Sequence, residues 1–245
     1  MLALDFDGVV CDGLGECAAI TWHASRQTSE TGEVQKALAQ VPEAFLTTFA
    51  GVRRYSRTLD DFMVANALVP GQRIDRQAFD LARTTAGSAA LAAQAAVGEQ
   101  IRAAWRTQDT TGWVALHSIY PGMAELIRSG GQRVVIVSAK DADSIWAILE
   151  HHTLATHVDT VVGSCHDKTR ALSALSTRHD EMIFVDDNLS NAAGAAALLG
   201  ITSRWATWGY HSPEDEPVAR QLGIRAIALN QLDELQPQYG VLTPA

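Results

Sequence analysis

No stretch of about eighteen consecutive apolar residues occurs in the sequence, which argues against a membrane-spanning helix. Cysteine is scarce. Cys11, Cys17 and Cys165 form neither a CxxC pair nor an even set, so reduced thiols are expected rather than disulfides or a zinc site. Basic residues are also few. Lys and Arg number 19 against 28 Asp and Glu, a formal net charge of −9. Nucleic-acid binding needs a basic stripe facing the phosphate backbone, and this balance argues against it. It leaves room for a small phosphorylated substrate, where a metal ion and one or two local cations can outweigh the global charge. An apolar run begins directly after Met1, so no targeting peptide is expected and a cytoplasmic location is the default.

What is present is a globular composition, 47% hydrophobic and 19% charged, over a length that suits one large domain or a core with an insertion. The chain is organised around its first residues. Leu2, Ala3 and Leu4 read as a short strand buried in a sheet, and Asp5, Asp7 and Gly8 follow at once. Two carboxylates at i and i+2 beyond a buried strand repel each other and do not belong in an apolar core. Ligands of open α/β sheets bind just beyond the carboxyl ends of strands, so a bound cation is the expected compensation. An ordinary solvated turn rich in Asp and Gly competes with that reading on these residues alone.

From about Gly15 to Leu116 the pattern is helical. The spacing predicts helices over 16–26, 43–68 and 89–105, with Pro42 in a first turn and Asp75 as a cap. Residues 109–112 read as a loop. After Tyr120-Pro121-Gly122 the texture changes to alternation. Strands are expected at 133–137, 158–162, 182–185, 202–206 and 225–229, with helices between them. Such alternation implies an α/β fold with a parallel sheet covered by helices on both faces. Residues 1–14 and 118–245 are therefore expected to form a Rossmann-like core, and 15–117 a helical insertion.

Strand ends of a parallel sheet share one edge, so the residues there converge. The first strand offers Asp5 and Asp7, the next Ser138 followed by Ala139 and Lys140, and a later one Asp186 and Asp187 with Asn188 and Asn191 behind them. Lys168 opens a helix between them. Clustered carboxylates without Cys or His suit a hard, oxygen-seeking cation such as Mg2+. A hydroxyl, backbone amides and a lysine suit phosphoryl oxygens. Taken singly, Ser138 would read as a turn cap, Lys168 as a surface residue, and Asp186 or Asp187 as the cap of the next helix.

In order and context these pieces resemble the haloacid dehalogenase-like hydrolase superfamily, mostly Mg2+-dependent phosphatases. Its DxDG motif is matched by Asp5-Phe6-Asp7-Gly8, its Ser or Thr by Ser138, its Lys by Lys168, and its acidic pair by Asp186-Asp187 with Asn191. The resemblance covers residues 1–13 and about 118–230, including Thr207-Trp208-Gly209-Tyr210. Lys168 is followed by Thr169 where the family often has proline, and Asn191 stands where a further acid is common.

The resemblance implies a helical cap at 15–117 and hydrolysis of a phosphate monoester of a small metabolite. Asp5 would be the nucleophile and Asp7 the acid and base. Asp5 and Asp187 would hold the metal directly, with the Asp7 carbonyl, and Asp186 directly or through water. Ser138 and Lys168 would hold phosphoryl oxygens, with Gly8 and Ala139 in the same phosphate-binding loops. A phosphomutase would use the same groups, a dehalogenase should lack Asp7, and an inert binding protein should have lost a motif. In the insertion, Arg53, Arg54 and Arg57 form the densest basic cluster and are candidates for a substrate carboxylate or second phosphate. An Arg57–Asp61 ion pair at helical spacing is the competing explanation.

Overall fold

The computed structural model describes residues 1–26, 33–176 and 181–236. The chain divides into two compact units. One comprises Met1–Asp12, Ile119–Gly209 and Pro213–Ala245; the other comprises Gly13–Ser118 and Tyr210–Ser212.

The first unit is built on a parallel sheet. Its strands are β1 (Leu2–Leu4), β4 (Val134–Val137), β5 (Thr160–Val162), β6 (Met182–Asp186), β7 (Ile201–Ala206) and β8 (Ala226–Ile227). The two-residue strands β2 (Cys11–Asp12) and β3 (Ser118–Ile119) flank the helical insertion in sequence. Strand order is β5-β4-β1-β6-β7-β8, and every adjacent pair is parallel. Helices Ala142–His151, Lys168–Ser176, Leu189–Ala196 and Asp215–Leu222 follow β4, β5, β6 and β7. This is the α/β, Rossmann-like architecture that the alternation predicts.

The central strands are apolar from end to end because both faces are covered. Every residue of β1 and β4 is buried. Ala3, Val135, Val137 and Phe184 pack with Leu172, Met182, Ala195 and Ile201 into one core, and full burial of a large aliphatic or aromatic side chain stabilises by roughly 1.5–3 kcal/mol. Register does the functional work. Leu4 stands opposite Ile136 on one side and Val185 on the other, so Asp5, Ser138 and Asp186 emerge at one edge of the sheet.

Among the described residues of the insertion the regular structure is helical apart from Ser118. The helix Leu14–Arg26 packs against Ser88–Gln108, where Gly98 permits the approach: a Cβ there would lie 2.9 Å from Ile20 Cγ2. Below them Glu16 is fully buried. It accepts from Arg102 Nε at 2.7 Å, from Arg102 Nη2 at 3.1 Å and from Trp113 Nε1 at 3.2 Å.

Two expectations need correction. The segment 43–68 is three elements, Glu43–Arg53, Leu59–Phe62 and a 3-10 turn Met63–Ala67, because Thr58 and Asp61 form a capping box that starts a new helix. Residues 109–112 are not a loop. Asp109 accepts the Gly112 N–H at 2.9 Å and caps the short helix Thr110–Val114. Asp75 caps its helix as expected, accepting from Ala78 N at 2.9 Å. No described helix is long and apolar enough to cross a membrane.

Candidate active site

The loop after β1 is tight. The Phe6 carbonyl accepts the N–H groups of Val10 and Cys11, each at 2.9 Å, and Gly8 turns the chain with φ 93°. Only glycine adopts that conformation without strain. The Gly8 N–H donates to Cys11 O at 2.8 Å, so Gly8 shapes the turn that presents the two aspartates. Asp5 is anchored through its backbone, donating to Val185 O at 2.9 Å, and its Oδ1 accepts the Phe6 N–H at 2.7 Å.

Lys168 binds the strand ends together. Its Nζ lies 2.7 Å from Asp5 Oδ2 and 2.8 Å from Asp186 Oδ2, with only 7% of the side chain exposed. The surface reading of Lys168 is therefore excluded. Burial disfavours the ammonium charge, but Asp186 and Asp5 outweigh it and hold the pKa above the ordinary lysine value. Burial also pushes the Asp5 carboxyl up, from its ordinary 3.8 to about 6; Lys168 opposes the rise and the Asp186 charge adds to it.

Asp186 has no exposed surface and both its oxygens are engaged. Oδ1 accepts the Asn188 N–H at 2.8 Å, and Oδ2 accepts from Asn191 Nδ2 at 3.1 Å beside Lys168. Asn191 thus supports the acidic pair by donating to it, where a carboxylate would have added repulsion. The helix cap is neither aspartate. Asn188 fills that role, its side chain accepting from Ser190 N at 3.0 Å. Asp187 is buried, and its carbonyl accepts from Trp205 Nε1 at 2.9 Å.

Ser138 is 2% exposed, and its backbone pairs with Val162 O and Cys165 N. Its Oγ accepts the Lys140 N–H at 3.3 Å, which fixes the turn that leaves β4. Ala139 is exposed within that turn. Lys140 Nζ lies 3.5 Å from Asp7 Oδ2, and only 7% of its side chain is exposed. Asp7 Oδ1 is buried without a hydrogen-bond partner among the described residues.

Asp5, Asp186 and Asp187 each place one oxygen within 4.8 Å of the others. This all-carboxylate set fits a hard divalent cation.

The model of the haloacid dehalogenase-like hydrolases matches residues 1–198. The chain belongs to the haloacid dehalogenase-like hydrolase family. It is accordingly a hydrolase, of a family that generally employs a divalent cation. Among solved structures it resembles a predicted phosphatase from Clostridium acetobutylicum, with a TM-score of 0.57 at 18% identity, covering 96% of this chain and 94% of that one. It also resembles a predicted phosphoglycolate phosphatase from Haemophilus somnus, with a TM-score of 0.59 at 14% identity and 96% of both chains covered. A third similar fold is protein tyrosine kinase A of Mycobacterium tuberculosis, with a TM-score of 0.52 at 20% identity, covering 91% of this chain and 98% of that one. These likenesses establish the fold. No curated protein matches the sequence.

The sequence places Lys140 at this strand end and Gly209 in the tail segment but assigns neither a role. Lys140 carries no motif of its own; its position two residues beyond Ser138 is the available signal. Gly209 is the second case. A Cβ there would stand 2.2 Å from Gly8 O and 2.6 Å from both Cβ and Oδ2 of Asp187, so the tail segment presses against both acidic loops. Trp208 Nε1 fastens the same segment, donating to Val9 O at 3.0 Å.

The three candidate arginines of the insertion fall in the second unit. The Arg53 guanidinium carbon lies 3.9 Å from the Tyr210 ring centroid and 5.0 Å from that of Phe62, a cation held against aromatic faces. Arg54 and Arg57 are exposed. The expected Arg57–Asp61 side-chain pair is absent from the ion pairs of the described residues. Asp61 Oδ2 accepts the backbone N–H of Arg57 at 2.9 Å, and Asp61 Oδ1 pairs with Arg83 Nε at 2.9 Å. The cause is the helix end at Arg53: Arg57 lies beyond it, so helical spacing does not apply.

Proposed function

We propose that this hydrolase is a phosphatase that cleaves a phosphate monoester of a small metabolite through an aspartyl-phosphate. The observation that carries this reading is the buried Asp5–Lys168–Asp186 cluster with a second ammonium–carboxylate pair, Lys140 and Asp7, at the same sheet edge. Asp5, fixed by its backbone bond to Val185, attacks phosphorus. Asp7 donates a proton to the leaving oxygen and then takes one from the water that hydrolyses the intermediate. Lys168 keeps Asp5 ionised and orients it, and with Ser138 meets the phosphoryl oxygens. Asp5, Asp186 and Asp187, with the Asp7 carbonyl, would hold Mg2+, whose charge neutralises the transferring group.

The division of labour between the units follows from the same reading. Residues 1–14 and 118–245 are the catalytic core, and 15–117 a cap that selects substrates. Arg53, Arg54 and Arg57 are the candidates there for meeting a second acidic group on the substrate. The test is a panel of phosphorylated metabolites with Mg2+, reading free phosphate for wild type and Asp5→Asn. Release by wild type alone supports the proposal; release by both contradicts it.

A further inference from the structure

The proposed chemistry assigns two tasks to Asp7 but leaves open what holds its carboxylate still. We propose that Lys140 is the positioning residue for Asp7, fixing one carboxylate oxygen so that the other is available for proton transfer. This rests on the phosphatase reading above.

Asp7 has an unequal pair of oxygens. Oδ2 lies 3.5 Å from the Lys140 ammonium. Oδ1 is buried and has no hydrogen-bond partner among the described residues. A buried acceptor left unpaired costs about 1–3 kcal/mol, more when it is charged, so a free carboxylate would rotate to avoid that state. Something must hold it. The ammonium of Lys140 faces the other oxygen, and at this distance the hold is electrostatic rather than a directed hydrogen bond. Shielding from water strengthens it, since only 7% of the Lys140 side chain is exposed.

Lys140 is itself unusually well fixed for a lysine. Its N–H donates to Ser138 Oγ at 3.3 Å, and its carbonyl accepts the Ser164 N–H at 2.9 Å. Ser164 adopts φ 51° in that loop, and Cys165 N donates to Ser138 O at 2.9 Å. Gly163 lies so close that a Cβ would stand 2.4 Å from Ala142 N. The loop after β5 thus clamps the turn after β4 on both sides of Lys140. The site therefore contains two matched pairs, Lys168 with Asp5 and Lys140 with Asp7.

In the step that Lys140 serves, the bond from phosphorus to the ester oxygen breaks as the Asp5 oxygen bonds to phosphorus. The proton on Asp7 passes to the departing oxygen, leaving an alcohol and ionised Asp7. Lys140 exchanges no atom or electron in that step. Its effect is on geometry, so it should scale with how much the leaving oxygen needs its proton.

The test is rapid-quench measurement of phosphoenzyme formation with Mg2+, using one alkyl and one aryl phosphate, for wild type, Lys140→Met and Lys140→Arg, with folding checked by circular dichroism. Lys140→Met is expected to slow the alkyl phosphate by on the order of a hundredfold and the aryl phosphate by less than about tenfold, the range for a displaced acid–base group. Lys140→Arg should recover most of the loss. If Lys140→Met does not fold, Lys140→Gln keeps the stem and a donor while removing the charge. Equal slowing of both substrates, or none, overturns the proposal. A raised KM with unchanged kcat also overturns it, making Lys140 a substrate contact. If wild type forms no phosphoenzyme with any monoester, the phosphatase reading itself falls, a result distinct from an active wild type with unaffected variants.

Discussion

Lys168 and Asp5 are joined at 2.7 Å in a site where each side chain is about nine-tenths buried, and the lysine comes from the helix after β5 while the aspartate ends β1. A buried ion pair of this kind is weak evidence for stability, because desolvation offsets much of the attraction. On the proposed function its value is chemical: the ammonium opposes the rise of the Asp5 pKa and would aim the carboxylate.

Removing the ammonium should expose that role. Lys168→Met leaves Asp5 and Asp186 facing each other without a counter-charge, so the Asp5 pKa should climb further. Turnover is expected to fall by about 10²–10³, the size typical for loss of a preorganised charge-stabilising group. Steady-state kinetics on the best monoester checks this. Turnover within tenfold of wild type would show that Lys168 is structural.

The raised Asp5 pKa makes a signed prediction about metal and pH. Its folded value, about 6, exceeds the ordinary 3.8, so without metal Asp5 favours the folded state most below about pH 4, and that contribution is lost as pH rises through 6. A proton on Asp5 competes with a cation, so stabilisation by Mg2+ should run the opposite way and grow as pH rises from about 5 to 7. Thermal unfolding with and without Mg2+ at the two pH values measures it. A Mg2+ shift of equal size at both would place the cation away from Asp5.

Gly209 should tolerate no side chain. Its missing Cβ accommodates Gly8 O and Asp187 at 2.2 and 2.6 Å, both from backbone or short side-chain atoms with little room to yield. Gly209→Ala should separate the two acidic loops, weakening Mg2+ binding and turnover together by roughly tenfold or more, as expected when second-layer support for a metal site is lost. Calorimetric titration with Mg2+ provides the readout. Unchanged affinity would mean that the tail does not brace the site.

How much of this was legible in the sequence depended on whether the signal was local. Strands β1, β4 and β6 are uninterrupted apolar runs, and their burial on both faces follows from that pattern alone. Asp5, Asp186 and Asp187 could be gathered because strand ends of a parallel sheet share an edge. Lys140 falls at the same edge, but its pairing with Asp7 was not legible, since nothing local tells a lysine aimed at a carboxylate from one in water. The packing of Gly209 against Gly8 and Asp187 depends on a contact between distant segments that no periodicity encodes. The break after Arg53 was missed for another reason: Phe45, Phe49 and Met63 keep an amphipathic spacing across the interruption, while the Thr58–Asp61 capping box that causes it is a subtler local signal.

The helical insertion has its own buried ion pair at Glu16. Arg102 and Trp113 satisfy the carboxylate, and Arg102 is held above its ordinary pKa because Glu16 outweighs the effect of burial. Glu16→Ala removes the buried partner of that guanidinium, leaving it only Glu99 at 2.9 Å among the described residues, and takes the acceptor from the Trp113 N–H; it should destabilise by about 3–5 kcal/mol. Chemical denaturation monitored by tryptophan fluorescence will report it. A loss below about 1 kcal/mol would place the pair among energetically neutral ion pairs.

The account turns on a covalent bond between Asp5 and phosphorus. Acid-quenching the Mg2+-loaded protein during turnover of its best monoester, followed by peptide mass spectrometry, asks for that bond directly. The predicted result is one hydroxylamine-labile phosphoryl group on the peptide that contains Asp5, assigned to Asp5 and absent from Asp5→Asn. Phosphate release by the wild type with no modified Asp5 under any quench condition, or with the same phosphopeptide in Asp5→Asn, would contradict it.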